Sequence, residues 1–386
     1  MKKKSYSVER SLAWLKPRED AMARLLGRFV RAESPSFDKA AVDRFGRMVA
    51  AEWKRRGARV SMLRQRERGD HVRAEWPARG GLSSSQILVL GHLDTVYETG
   101  TIERMPFRVS RGRAWGPGTF DMKGGLVIAL YALDALAAAG CWPEQRVVFL
   151  WTSDEEIGSG TSRRIIEREA RRSDTVLVLE PALGPEGRVK TGRKGVGEFE
   201  IVVTGRAAHA GLNPEDGVNA IEEIARQIAR MAHWNQPRRG ITVNAGVIEG
   251  GTRTNVIPDH ARVVIDVRAS RAEDMRALER KFLAMRPILA GAKLQVRGGF
   301  NRPPMERGTG RALYGQARAL AKEMGVTLGD AFVGGGSDGN FTAALGVPTL
   351  DGLGAVGEGA HSPGENLVIG KMPERAALLA GLLATI

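Results

Sequence analysis

The sequence predicts an α/β fold with a second, smaller α+β unit inserted into it. Three observations carry this. Apolar runs of strand length recur between residues 87 and 180, each leading into a histidine or a carboxylate, with a helical pattern between them. From Arg193 onward the runs instead alternate apolar and polar residues, as half-exposed strands do. Beyond about residue 303 a helical pattern and a glycine-rich loop return, so the alternating stretch, 194–303, reads as an insertion into a domain made of 1–193 and 304–386.

The bulk properties are those of an ordinary globular chain. It has 386 residues, 42% hydrophobic and 26% charged, enough for two domains with a sizeable core. Its one cysteine, Cys141, excludes an intrachain disulfide and a cysteine metal cluster, and reads as a small core residue near a helix end. The net charge of +14 is uneven, because residues 1–80 hold 21 Lys and Arg against 10 Asp and Glu. There the basic residues interleave with Met22, Leu25, Leu26 and Phe29, and later Phe45, Met48, Val49 and Trp53. That pattern predicts the solvated faces of two helices, not a nucleic-acid surface. Met1-Lys2-Lys3-Lys4 starts like a signal peptide, but Ser11–Leu15 is too short an apolar stretch to continue one. No membrane span is expected, and the cytoplasm is the expected location.

In chain order, two helices are expected within 18–56, separated by Ser34-Pro35-Ser36. Val60–Leu63 and His71–Trp76 read as short strands, and Gly80–Ser85 as a loop. Ile87–Leu90 is a buried strand running into Gly91-His92-Leu93-Asp94, where an extended backbone would aim His92 and Asp94 to one side. Asp121 lies in a glycine-flanked loop (Gly116 to Gly125) before the helix Leu126–Ala139, and is expected to be exposed. Val147–Trp151 leads into Asp154-Glu155-Glu156, three adjacent carboxylates that repel one another unless a cation offsets them. Thr175–Leu179 leads into Glu180. Ligands bind beyond the carboxyl ends of strands in open α/β sheets, so these residues predict one oxygen-rich site.

The inserted unit reads as strand 198–205, the segment Ala208-His209-Ala210-Gly211, helix 217–232, strands 241–248 and 261–267, helix 272–289 and strand 293–297. Helix 310–325 follows, then Gly334-Gly335-Gly336-Ser337-Asp338 opening a helix, His361 on a loop, and a final helix.

Taken together, Gly91–Val96, Gly118–Gly124, Asp154-Glu155-Glu156, Glu180-Pro181 and His361-Ser362 resemble the di-zinc metallopeptidase family of glutamate carboxypeptidase, aminoacylase and succinyl-diaminopimelate desuccinylase. The resemblance implies a zinc-peptidase-like α/β catalytic domain with a mixed sheet between helices, and an inserted α+β lid and dimerisation domain. It implies two Zn2+ per chain, with Co2+ or Mn2+ as substitutes. His92 and Glu180 would hold one ion, Glu156 and His361 the other, and Asp121 would bridge them, followed by a cis peptide bond. Glu155 would be the general base, and Asp94 would fix the His92 tautomer. His209 would reach the active site of the partner subunit in a homodimer and stabilise the oxyanion. Arg268 would grip a substrate carboxylate, with Asn255, Gly335 and Gly336 beside it. One departure is Ala208, where relatives often carry serine.

The implied activity is hydrolysis of an amide next to a free carboxylate in a small peptide or N-acyl amino acid. The glutamate carboxypeptidase branch matches best, an N-acyl-amino-acid deacylase is the alternative, and a non-catalytic binding module is the weakest reading. No nucleic-acid or membrane partner is implied.

Overall fold

Successive side chains of the strands Gln86–His92, Arg146–Thr152 and Thr175–Val178 face opposite ways, and both sets are apolar. Such strands need helices on both faces. In a computed structural model, which describes residues 6–78 and 85–386, they have them. Ile87, Val89, Val147, Phe149, Trp151 and Leu177 join a core with the helices Val8–Leu15, Glu19–Arg31, Lys39–Arg55, Gly124–Ala139 and Met372–Thr385. Leu88, Leu90, Val148, Leu150, Val176 and Val178 pack on the other face against Ile166 of helix Arg163–Ala170 and Phe341 of helix Gly339–Ala344.

The sheet has six strands in the order Arg59–Leu63, His71–Trp76, Arg146–Thr152, Gln86–His92, Thr175–Val178, Thr349–Leu350. The first two joins are antiparallel and the last three parallel, so the sheet is mixed. Trp53 anchors one face, its ring 4.3 Å from Phe149 and 5.7 Å from Trp151. Gly91 is fixed by crowding, since a Cβ there would lie 2.6 Å from both Met122 and Trp151 side-chain atoms.

This sheet belongs to a compact unit made of the chain up to Gly192 with Arg307–Phe332 and Ser337–Ile386. A second unit, Arg193–Glu306 with Val333–Gly336, has its own core. Its antiparallel sheet runs Thr242–Gly250, His260–Ala269, Gly195–Thr204, Lys293–Arg302. Phe199, Ile201, Val263 and Ile265 are buried with Ile224 and Met231 of helix Ala220–Ala232 and Leu278 and Phe282 of helix Ala272–Leu283. Phe199 stacks on Phe282 with ring centroids 4.0 Å apart.

Some elements differ from expectation. The amphipathic helix Val8–Leu15, capped by Ser7, was not expected. The helix expected over 272–289 stops at Leu283, four residues before Pro287. The last inserted strand runs five residues further, to Arg302. Of the basic start Met1–Lys4 and the loop Gly80–Ser85, only Ser85 falls within the described residues. Among the described residues, one segment is long and apolar enough to cross a membrane, Thr119–Ala139, and it is mostly buried as a core helix.

Candidate metal centre

Parallel register brings the strand ends together. His92 pairs with Thr152, and Leu90 with Val178. The residues just beyond, Asp94, Glu155 with Glu156, and Glu180, are therefore delivered to one edge. A small antiparallel sheet supplies the rest. Arg113–Trp115 pairs with Asn366–Val368, with Trp115 opposite Asn366. The loop leaving Trp115 and the loop entering Asn366 then face each other, which sets Asp121 beside His361.

The result is two groups of possible metal ligands, His92–Asp121–Glu180 and Asp121–Glu156–His361, whose ligand atoms lie within 4.8 Å of one another in each group. His92 Nε2 is 3.2 Å from Asp121 Oδ1 and 3.6 Å from Glu180 Oε1. His361 Nε2 is 3.1 Å from Glu156 Oε2 and 3.5 Å from Asp121 Oδ2. Asp121 is not exposed as expected: its side chain keeps only 15% of its surface, because a histidine approaches each of its oxygens. The Asp121–Met122 peptide is cis, and His361 has a left-handed φ of 61°.

The electrostatics of these groups call for positive charge. Hydrogen bonds to Asp121 and Glu156 push the His361 imidazole up to about 10. Burial opposes protonation of His92, but Asp121 and Asp94 raise its pKa well above the usual histidine range. Burial raises the Glu156 carboxyl, against the His361 hydrogen bond. Its Oε1 is buried with no hydrogen-bond partner. Imidazole and carboxylate donors, one of them with an orphaned oxygen, fit divalent cations that would displace these protons.

The supporting contacts are specific. His92 Nδ1 lies 2.9 Å from the Asp94 carbonyl oxygen, closer than the Asp94 carboxylate at 3.5 Å. That carboxylate instead accepts from Ser36 Oγ at 2.7 Å and from the backbone N–H groups of Glu155 and Glu156, both at 3.2 Å. Asp94 therefore holds the Glu155–Glu156 turn as well as the His92 side.

Sequence reasoning missed Glu365, Tyr97 and the role of Lys123. Glu365 is 1% exposed and accepts from the N–H groups of Gly118, Phe120 and Asp121 at 2.9, 2.8 and 2.9 Å. Tyr97 donates to it at 2.6 Å. The only sequence signal was an acidic residue in a glycine-rich loop four positions after His361. Lys123 donates to the carbonyls of Phe29 and Ala32 at 3.2 and 2.8 Å, which ties the Asp121 loop to the end of helix Glu19–Arg31.

The other expected site residues lie in the second unit. His209 is exposed, and its Nδ1 accepts from the N–H groups of Gly211 and Leu212, both at 3.1 Å, which leaves the ring proton on Nε2. Asn255 is exposed on the loop after Thr242–Gly250, and its carbonyl accepts from Ala210 N–H. Arg268 is held by Asp266 at 2.9 Å and donates to the Gly334 carbonyl at 2.9 Å. Arg193 donates to the carbonyls of Gly335 and Gly336 at 3.2 and 3.1 Å. A Cβ on Gly336 would lie 2.9 Å from the Arg302 side chain.

Comparison with known proteins agrees with the motifs. The model of peptidase family M20/M25/M40 matches residues 88–385. Carboxypeptidase G2 of Pseudomonas sp. (strain RS-16) is 33% identical over 374 residues, 95% of this chain and 89% of that protein. Succinyl-diaminopimelate desuccinylase of Dechloromonas aromatica (strain RCB) is 29% identical over 328 residues, 79% of this chain and 85% of that one. In fold, the chain resembles the crystal structure of aminopeptidase PepT from Bacillus cereus ATCC 10987, with a TM-score of 0.79 at 23% identity over 95% and 98% of the two chains. The chain belongs to peptidase family M20/M25/M40 and is a hydrolase of the metallopeptidase class.

Proposed function

We propose that the protein is a metal-dependent carboxypeptidase that cleaves an amide bond next to a free carboxylate and releases a C-terminal amino acid such as glutamate. The observation that carries this reading is the pair of His–carboxylate groups sharing Asp121. The similarity to carboxypeptidase G2 supports the direction of cleavage.

In this reading His92 and Glu180 would hold one ion, Glu156 and His361 a second, and Asp121 would serve both. Zinc is the proposed metal, with cobalt or manganese as substitutes. When bound, the cations supply Lewis acidity to the scissile carbonyl and to the attacking water. Glu155, on the turn that Asp94 holds, takes the water's proton and passes it to the leaving amine. The second unit, with 194–303 as its proposed bounds, serves as lid and dimerisation domain to a catalytic domain of 1–193 and 304–386. His209, from the partner subunit, donates its Nε2 proton to the carbonyl oxygen as charge develops there. Arg268 uses the guanidinium N–H groups not taken by Asp266 and Gly334 to bind the substrate carboxylate, beside Asn255, Gly335 and Gly336. Homodimerisation is supported by the edge strand Thr242–Gly250, which leaves Val247 48% and Ile248 56% exposed.

The test is metal content together with amino-acid release from C-terminal-glutamate peptides, folate-like conjugates and N-acyl amino acids. Two metals per chain, and glutamate release lost to a chelator and restored by zinc, is the expected result. No bound metal and no activity after zinc is returned would refute the reading. An N-acyl-amino-acid deacylase is favoured instead by the similarity to the desuccinylase, and a preference for small N-acyl groups in the same panel would select it.

A further inference from the structure

Asp338 stands at the start of helix Gly339–Ala344, and none of the roles above uses it. It is 4% exposed. Both of its carboxylate oxygens accept hydroxyl groups from one short segment. Thr152 Oγ1 donates to Oδ2 at 3.0 Å, and Ser159 Oγ donates to Oδ1. Thr152 is the last residue of strand Arg146–Thr152, and Ser159 lies two residues beyond the single helical turn Glu155–Ile157. One buried side chain therefore grips both ends of the segment that carries Glu155 and Glu156.

The segment needs such a grip. Asp94 holds its middle through the N–H groups of Glu155 and Glu156, both at 3.2 Å, the long end of the usual range. The chain then turns back through two left-handed residues, Gly158 with φ 94° and Ser159 with φ 60°. A serine seldom adopts that conformation unless its surroundings impose it. Here the Ser159 N–H donates to the Asp154 carbonyl at 2.7 Å, and its hydroxyl is on Asp338. Asp338 is anchored in turn. Its neighbour Ser337 donates from Oγ to Asp351 Oδ2 at 2.6 Å and from its N–H to Asn340 Oδ1 at 2.9 Å. Asp351 directly follows Thr349–Leu350, a strand of the six-stranded sheet. The clamp thus ties the Glu155 turn to the sheet itself. Placement matters here, because a reacting group displaced by about 1 Å can lose about 100-fold in rate.

We propose that Asp338 is a positioning residue for proton transfer, which keeps the Glu155 carboxyl aimed at the reacting atoms by fixing Thr152 and Ser159. This rests on the hydrolase reading above, with Glu155 as the base. The test measures kcat, KM and zinc content for wild type, Asp338→Ala and Asp338→Asn, each alone and combined with Glu155→Gln. The assays use saturating zinc and the compound of the panel above that the wild type hydrolyses fastest. Asp338→Ala is expected to lower kcat about 10- to 100-fold, with KM changed by less than about twofold and zinc content unchanged. Asp338→Asn should recover most of that loss, because its amide can accept from one hydroxyl and donate to the other. In the Glu155→Gln background Asp338→Ala should cost less than about twofold, since residues that act as a unit are not additive. An equal loss of kcat in both backgrounds, a change carried by KM, zinc lost despite the excess, an Asp338→Asn no better than Asp338→Ala, or no effect of Asp338→Ala would overturn the proposal. Where Asp338→Ala does not fold, Thr152→Val combined with Ser159→Ala removes both donors and is read in the same way. A wild type that hydrolyses nothing in the panel would fail the hydrolase reading itself, and this inference with it.

Discussion

Replacing Glu365 by glutamine should loosen the proposed metal centre without touching a proposed metal ligand. The carboxylate accepts from four donors: Gly118 N–H and Tyr97 O–H on Oε2, and Phe120 and Asp121 N–H on Oε1. A glutamine amide has one acceptor oxygen, so either orientation turns its NH2 toward two donors. The less costly one faces Gly118 and Tyr97, because a hydroxyl can rotate and accept. That leaves one buried donor, Gly118 N–H, unpaired, at about 1–3 kcal/mol, so the metal-free variant should lose about 1–3 kcal/mol. That is within the stability of an ordinary domain, and the chain should still fold. The larger effect falls on Asp121, whose own N–H is one of the four donors. Loss of such support typically lowers metal affinity about 10- to 100-fold. Denaturant unfolding of the metal-free chain reads the first quantity, and zinc competition against a chromophoric chelator reads the second. Tyr97→Phe, which removes one donor only, should cost about 1 kcal/mol and move zinc affinity little. Wild-type zinc affinity in Glu365→Gln would refute the reasoning, even if the stability loss were found.

Three further outcomes are expected. Glu155→Gln should lower turnover about 10²- to 10⁴-fold with unchanged metal stoichiometry, measured by steady-state kinetics and elemental analysis; retained activity would remove Glu155 as the base. His209→Ala should lower kcat about 10²- to 10³-fold while the melting temperature stays put, because the side chain is exposed; full activity in a purified monomer would refute a role across subunits. Trp53→Ala, which empties a fully buried site against Phe149 and Trp151, should cost about 3–5 kcal/mol in denaturant unfolding.

What could be read from the sequence depended on how local the physics is. The strands leading to His92, Glu156 and Glu180 were legible because an apolar run followed by a charged residue is a local pattern with few solutions in an α/β sheet. The basic N-terminal stretch was legible as helix surface, and its arginines do turn to acids: Arg28, Arg55 and Arg56 all pair with Glu52. Val8–Leu15 could have been read, since Ser7 is a cap and Val8, Ser11, Leu12 and Leu15 form a buried stripe. Flanking charge and short length hid it. Glu365 could not be read. Its donors lie 244 to 268 residues away in sequence, and they are brought close by two strands of three residues each. Nothing in so short a pairing stands out before the fold is known.

The two ligand groups are unequally sheltered, and this predicts an order of metal loss. The His92 side chain is 1% exposed and that of Glu180 10%. His92 is also fixed at both ends, by the Asp94 carbonyl on Nδ1 and by Met122 Sδ on its backbone N–H. The His361 side chain is 50% exposed and sits on a loop. Glu156 is itself only 6% exposed, so an ion held by Asp121, Glu156 and His361 would exchange its His361 ligand for water first, from the open side. An ion at His92, Asp121 and Glu180 must draw water into a packed strand end. With Asp121 shared as proposed, departure of the first ion would also free an oxygen to tighten the hold on the second. Zinc release to a chromophoric chelator in excess should therefore be biphasic, one equivalent per phase, with rates differing at least about tenfold. His361→Ala should remove the fast phase and leave the slow one. A single phase releasing both ions, or loss of the slow phase in His361→Ala, would mean that burial of the ligands does not set the order.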